Sequence, residues 1–200
     1  MPVLDHDYQV QQTGYWCGPT AAHIALSTRG VIVDQGTLAR ECGTTVNGTD
    51  TIDQVTRVLR ARSGVGYISR YMPNDPPTRE QVDLMWADLT RSINAGFGAV
   101  VNIVAPPGNQ PPGYPAWQTI WHYIAVVGTN ESDRTVYVAD SANFSGIQHY
   151  WLTIDKLASL CTPKGYSFAP VDPPPRVVDE DDDDAAWLPV LTQLMGPLGG

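Results

Sequence analysis

The sequence contains few of the features that mark metal-binding, disulfide-bonded, membrane or nucleic-acid-binding proteins. Its three cysteines are an odd number without a CxxC pair, which argues against a disulfide framework and against a zinc ribbon. It has no HExxH motif and no run of about 18 apolar residues that could cross a membrane. Charged residues make up 16% of the chain, and no basic patch offers a surface to nucleic acid. We therefore expect no metal or other cofactor, and neither a nucleic-acid nor a membrane partner.

The two ends of the chain differ in character. The N-terminal stretch MPVLDHDYQV has neither the basic start nor the apolar core of a secretory signal peptide, so we expect synthesis in the cytoplasm without one. Near Val171 the composition changes to Pro173-Pro174-Pro175 and then to an acidic run over 179–184. We interpret residues 1–171 as one domain, and residues 172–200 as a Pro-rich acidic linker with a short apolar tail that leads to a further domain.

The order of the elements within the first 171 residues predicts an α+β fold. Helical periodicity and capping signals come first, and short apolar strands joined by turns follow, which is typical of helices packed on an antiparallel sheet. Helices are predicted at about 17–29, 34–43, 51–62, 78–93 and 152–161. Strands are predicted at 65–71, 99–104, 121–128, 135–140 and 166–171.

The stretch QQTGYWCGPT at 11–20 places Cys17 at the beginning of a helix. A helix N-terminus supplies free N–H groups and a partial positive charge, and both lower the pKa of a thiol toward the reactive thiolate. Pro19 suits the first turn, and Gly18 leaves room for a substrate backbone beside the sulfur. An amide donor for the negative charge that develops on a carbonyl oxygen is available from Gln11 or Gln12.

A base and an orienting group are found further along. His122 lies in the strand WHYIAVVG, where alternation places it on the face of Ile124 and Val126, and a polar ring there needs a partner. The next strand ends at Asp140, whose carboxylate can hold the Nδ1 proton of His122, and Asn143 is the rival for that role. The remaining histidines and cysteines are interpreted as packing or surface residues. Trp16, Trp117 and Trp121 line a substrate groove or belong to the core.

Three blocks in this order resemble a known family. The string Q-x5-C-G-P-T-A-A, then W-H-Y-I-A-V-V-G, then V-Y-V-A-D-S resembles the papain-like C39 peptidases, including the C39-like N-terminal domains of mycobacteriophage lysin A endolysins. The resemblance covers about residues 5–171. It implies a papain-like fold, with N-terminal helices packed on an antiparallel sheet, and a cysteine endopeptidase that cuts peptide bonds of bacterial peptidoglycan.

The resemblance also implies roles for individual residues. Cys17 is the nucleophile, His122 the general base, Asp140 the orienting carboxylate and Gln11 the oxyanion donor, while Trp16, Gly18 and Trp121 contact the substrate. The expected partners are peptidoglycan stem or cross-link peptides. The protein is expected to act as a monomer at the bacterial cell wall after holin-type release from the host cytoplasm. A catalytically inactive wall-binding module of the same fold, and a related transpeptidase or amidase, are the alternatives.

Overall fold

A computed structural model describes residues 2–172 of the chain, which form one α+β unit. The linker and tail predicted for residues 172–200 lie, apart from Asp172, outside the described residues. The helices are α1 (Cys17–Ser27), α2 (Gln35–Cys42), α3 (Ile52–Ser63), α4 (Arg79–Asn94) and α5 (Ile154–Cys161). The strands are β1 (Ile68–Tyr71), β2 (Ala99–Ala105), β3 (Ile120–Asn130), β4 (Thr135–Ala139), β5 (His149–Thr153) and β6 (Gly165–Phe168).

Helices α2, α3 and α4 begin and end within one residue of the predicted bounds. The side chain of Asp34 accepts a hydrogen bond from the backbone of Thr37 at the start of α2, and Gly43 ends that helix in the left-handed conformation, with φ of 67°. Thr78 and Gln81 form the predicted capping box of α4. None of the helices within residues 2–172 has the length and apolar character that crossing a membrane requires.

All neighbouring strands run antiparallel, in the order β1-β6-β2-β3-β4-β5. The long central strand β3 pairs with β2 from Ile120 to Val126, but its pairing with β4 begins only at Ala125. The first part of β3 therefore extends beyond the end of β4. This overhang leaves backbone groups of β3 available to something other than a strand.

Helices cover both faces of the sheet. One face packs against α1, α2 and α3 and includes Tyr123 and Ala125, and the other packs against α4 and α5 and includes Ile124 and Val126. The alternation predicted around His122 is therefore confirmed. The expectation of N-terminal helices on an antiparallel sheet is also confirmed, and α4 and α5 add a second helical layer on the opposite face.

One strand is missing from the sequence prediction. The helix predicted from residue 152 begins at Ile154, and the residues before it form β5, which pairs with β4 along its whole length. Tyr150 and Leu152 are buried and Trp151 is more exposed, so the segment has the alternation of a strand. Its five residues are too few for that alternation to stand out from the helical pattern that follows.

Candidate active site

Cys17 is the first residue of α1, and its side chain lies against the overhang of β3. The residue is 8% exposed. The backbone N–H groups of Gly18 and Tyr123 lie near enough to its sulfur to lower the pKa of the thiol. The donor on Tyr123 is available because β4 does not reach this part of β3. The sulfur thus lies where a helix N-terminus and an unpaired strand edge both direct N–H groups at it.

His122 lies between Cys17 and Asp140. Its Nε2 atom is 2.8 Å from Oδ1 of Asp140, and both side chains are almost fully buried. His122 also lies close enough to Cys17 to lower the pKa of the thiol, and since Nε2 bonds to Asp140, Nδ1 is the ring nitrogen left for the sulfur. The prediction that Asp140 holds the Nδ1 proton is therefore wrong. Asp140 bonds to Nε2 of the ring instead, which leaves Nδ1 for the sulfur.

The charges of these groups reinforce one another. Burial raises the pKa of the Cys17 thiol, but the hydrogen bond and charge of His122 outweigh it and leave that pKa below its usual value. Burial opposes the charging of His122, yet the nearby carboxylate of Asp140 raises the pKa of the imidazole to about 10. His122 in turn keeps the pKa of Asp140 low despite its burial. The arrangement favours a thiolate beside an imidazolium.

Asp140 is held by more donors than the sequence predicts. Oδ1 accepts from His122 and from the backbone N–H of Ala142 at 3.0 Å, and Oδ2 accepts from the hydroxyls of Tyr114 and Tyr150, both at 2.7 Å. No sequence signal pointed to these tyrosines, because Tyr114 lies in an irregular Pro/Gly loop and Tyr150 in the unpredicted β5. Asn143, the alternative to Asp140, has a left-handed backbone with φ of 52°. Within residues 2–172, His122 forms its carboxylate hydrogen bond with Asp140, and Asn143 forms none with His122.

A cavity of about 220 Å³ opens beside Cys17 and His122. The connection between α2 and α3, residues 47–50, forms one wall of it, and the rest is lined by Asn102, Trp121, Tyr123 and Lys164. Trp121 is 66% exposed, so most of its ring is available to a bound molecule. The residues of the 47–50 wall, Asn102 and Lys164 were not predicted, because none of them lies in a motif.

Gly18 has a packing role, and its predicted contact with the substrate stays a prediction. A Cβ atom at this position would lie 2.6 Å from Oγ1 and 3.0 Å from Cβ of Thr49. The space that a side chain at position 18 would occupy is thus filled by the cavity wall. Close packing of α1 against that wall fixes the position of Cys17 relative to Thr49.

We expect Gly18→Ala to destabilise the protein, because Thr49 is buried and cannot yield without moving the wall. The cost is about 1–3 kcal/mol, as for other overpacked sites, and thermal unfolding measures it. Gly14→Ala is the matched control, since a Cβ atom there would meet nothing within 4 Å. Equal melting temperatures for the two variants would contradict the packing role of Gly18.

The two glutamines lie on the other side of Cys17. Gln11 donates from Nε2 to the carbonyl of Thr13 at 2.9 Å, and its Oε1 accepts from the hydroxyl of Ser141 at 3.2 Å. With Gln12 it lines a neighbouring depression and, within the described part of the chain, it is not among the residues of the cavity beside the sulfur. The oxyanion role of Gln11 stays a prediction, and the exposed Gln12 side chain is less well fixed.

The other aromatic and titratable candidates are spread over the molecule. Trp16 is half-buried and lies near Gly36 at the start of α2, and Trp117 is 81% exposed. Burial raises the pKa of Cys42 to about 12, and it also raises the pKa of Cys161. His6 and His149 bond to each other, and His23 is buried within α1. Among residues 2–172, no group of three or more side chains is arranged to hold a metal ion.

Comparison with known proteins gives one family and one fold. The model of the Peptidase_C39 like family matches residues 3–159. A putative C39-like peptidase from Bacillus anthracis has a TM-score of 0.55 at 12% identity, over 86% of this chain and 99% of that one. The peptidase domain of Streptococcus ComA, a bifunctional ABC transporter involved in quorum sensing, has a TM-score of 0.52 at 16% identity, over 84% of this chain and 100% of that domain.

A third similar structure contains a bound peptide. It is a double glycine motif protease from an AMS/PCAT transporter in complex with its leader peptide, with a TM-score of 0.51 at 15% identity, over 85% of this chain and 95% of that one. At these identities the likeness shows the papain-like fold. No curated protein sequence matches the chain significantly.

Proposed function

Since the chain belongs to the Peptidase_C39 like family, whose model matches residues 3–159, we propose that it is a cysteine endopeptidase acting on bacterial peptidoglycan, the catalytic domain of a phage endolysin. In this proposal Cys17 is the nucleophile, His122 the general acid and base, and Asp140 the group that orients His122. One observation carries the catalytic part. A thiol at a helix N-terminus, an imidazole and a buried carboxylate form a line, in which His122 bonds to Asp140 and lies close enough to Cys17 to lower the pKa of its thiol.

The proposed reaction follows from that line. The Cys17 thiolate attacks the carbonyl carbon of the scissile peptide bond, and the carbonyl oxygen becomes an oxyanion. Nδ1 of His122 then gives its proton to the departing amine, which leaves a thioester on Cys17. Nδ1 next removes a proton from water, the hydroxide attacks the thioester, and the thiolate is restored. Gln11 and the backbone N–H of Cys17 are the proposed donors to the oxyanion.

The cavity supports a short, charged peptide as the substrate. Lys164 and Asp50 give it groups of both signs, and Trp121 adds an exposed ring. Stem peptides of peptidoglycan carry free carboxyl groups and, before cross-linking, free amino groups close to their peptide bonds. Opposite charges on the two partners favour encounter and fix register. The endolysin context rests on the resemblance of the three sequence blocks, and action at the cell wall after holin-type release belongs to the same proposal.

Digestion of purified muropeptides, followed by mass spectrometry, tests this function. A peptidase adds one water across a peptide bond and creates one new amine and one new carboxyl group. Protein treated with iodoacetamide is the control and should produce none. Cleavage between the lactyl group and the first alanine would instead identify an amidase, and exchange of peptide bonds without added water would identify a transpeptidase. A protein that sediments with cell walls but releases no product would be a binding module.

The pH dependence of alkylation provides a second test. Iodoacetamide reacts with thiolates, and the pKa of Cys17 is lowered while burial raises the pKa of Cys42 to about 12. We expect Cys17 to be alkylated at lower pH than an ordinary thiol, and Cys42 to stay unmodified in the folded protein. Peptide mapping by mass spectrometry identifies the modified residue.

Peptidase activity also needs a protonated His122, so it should fall again as pH rises through the raised pKa of that ring.

Alkylation that starts only near the pKa of a free thiol would contradict the proposed ion pair. The two groups titrate as a pair, so both limbs of the profile belong to the pair and not to either residue alone.

A further inference from the structure

Two tyrosine hydroxyls converge on the side of Asp140 that faces away from His122. Both donate to Oδ2 at 2.7 Å, and each tyrosine is 8% exposed. Together with His122 and the N–H of Ala142 on Oδ1, they give the carboxylate four donors. A carboxylate has about four lone-pair sites, so this buried group is fully satisfied.

We propose that Tyr114 and Tyr150 are positioning residues that hold Asp140 with Oδ1 directed at His122 and limit how strongly the carboxylate attracts the imidazolium proton. The inference rests on the proposed catalytic roles of Cys17 and His122. Each phenol draws negative charge from Oδ2, and less charge then remains on Oδ1 for His122. The tyrosines also prevent rotation of the carboxylate, since two short bonds on Oδ2 fix its plane.

The two tyrosines reach Asp140 from different parts of the fold. Tyr150 lies in β5, in register with Val138 of the adjacent strand, and is therefore fixed by the sheet. Tyr114 lies in the loop between β2 and β3, where its ring packs edge-on against Phe144 at a centroid distance of 4.8 Å. The preceding Gly113 has φ of 81°, and a Cβ atom there would lie 2.6 Å from the carbonyl oxygen of Phe144. The loop is thus pressed onto the turn after Asp140.

Because Tyr114 lies in this loop, the position of the loop determines whether one of the two phenols can bond to the carboxylate of Asp140. The same loop carries the exposed Trp117 and leads directly into β3 and His122. Of the two hydrogen bonds to Oδ2, the one from Tyr150 is fixed by the sheet and the one from Tyr114 depends on the loop. Tyr8 is a further titratable neighbour of Asp140, and its hydroxyl donates to the backbone carbonyl of Asp140 at 2.9 Å and not to the carboxylate.

The experiment compares Tyr114→Phe and Tyr150→Phe with the matched control Tyr166→Phe. Tyr166 donates a buried hydrogen bond of 2.8 Å to Asp88, so its loss removes the same kind of bond from a different carboxylate. The ring of His122 is titrated by NMR in protein labelled with ¹⁵N-histidine, and kcat/KM is measured as a function of pH. The NMR readout needs no substrate, so it stands or falls independently of the peptidase assignment.

We expect the titration of His122 to move to higher pH in both active-site variants, because Oδ1 regains charge when a phenol is lost. Their kcat/KM should fall by about tenfold each, the size expected for one hydrogen bond to a charged group. Tyr166→Phe should lower the melting temperature without moving the His122 titration. An unchanged titration in both Tyr114→Phe and Tyr150→Phe, or an equal shift in the control, would overturn the proposal.

Discussion

Replacement of Cys17 by alanine should remove peptidase activity while leaving the fold intact. Alanine suits the beginning of a helix as well as cysteine does, and the substitution removes only the sulfur atom. Without the sulfur there is no nucleophile and no thioester, so the loss should be at least about 10⁴-fold, as when other covalent catalysts lose their nucleophile. Release of new amino groups from muropeptides measures the loss, and circular dichroism checks the fold.

Cys42→Ala is the matched control for this variant. Cys42 is also buried, but it lies at the end of α2, and burial raises the pKa of its thiol to about 12. The control should therefore keep its activity, although removal of a core sulfur lowers its stability. Undiminished muropeptide cleavage by the Cys17 variant would refute the proposed mechanism, whatever the control shows.

Asp140→Asn should have the second largest effect. The carboxylate raises the pKa of His122, and His122 in turn lowers that of Cys17. A neutral amide removes this support, so the pKa of His122 should fall and that of Cys17 should rise. The pH range in which both groups are charged then narrows from both sides. We expect kcat to fall by roughly a thousandfold or more, in line with loss of the third member in other triads.

A pH profile of kcat/KM separates this effect from simple destabilisation. Asp88→Asn is the matched control, because Asp88 is a buried carboxylate that binds Arg70 and Tyr166 outside the site. That control should lose stability and keep the shape of its pH profile. If Asp140→Asn leaves both limbs of the profile in place, Asp140 does not act through His122.

The elements that carry the site could be predicted because their signals are local. Asp34 and Gly43 mark the ends of α2, Thr78 and Gln81 mark the start of α4, and all four form the expected caps. The continuous apolar strand at 99–104 likewise appears as β2. The side chains of Cys17, His122 and Asp140 could be proposed as partners because each lies at a recognisable end or face of such an element.

The rest depends on contacts between distant segments, for which a single sequence holds no signal. Tyr114 lies in a loop without periodicity, and its bond to Asp140 spans 26 residues. Thr49, which makes Gly18 necessary, belongs to an irregular connection. The choice between Nδ1 and Nε2 of His122 follows from the direction in which the chain reaches the ring, and only the folded arrangement determines that direction.

The reactivity of the Cys17 thiol depends on the overhang of β3, and therefore on how β3 is placed in the sheet. The backbone N–H of Tyr123 and the side chain of its neighbour His122 both lower the pKa of the Cys17 thiol, so one strand supplies both effects. Because successive residues of a strand point to opposite faces, a slip of one position would turn the imidazole away. The lowered pKa of the Cys17 thiol therefore depends on the register in which β3 joins the sheet.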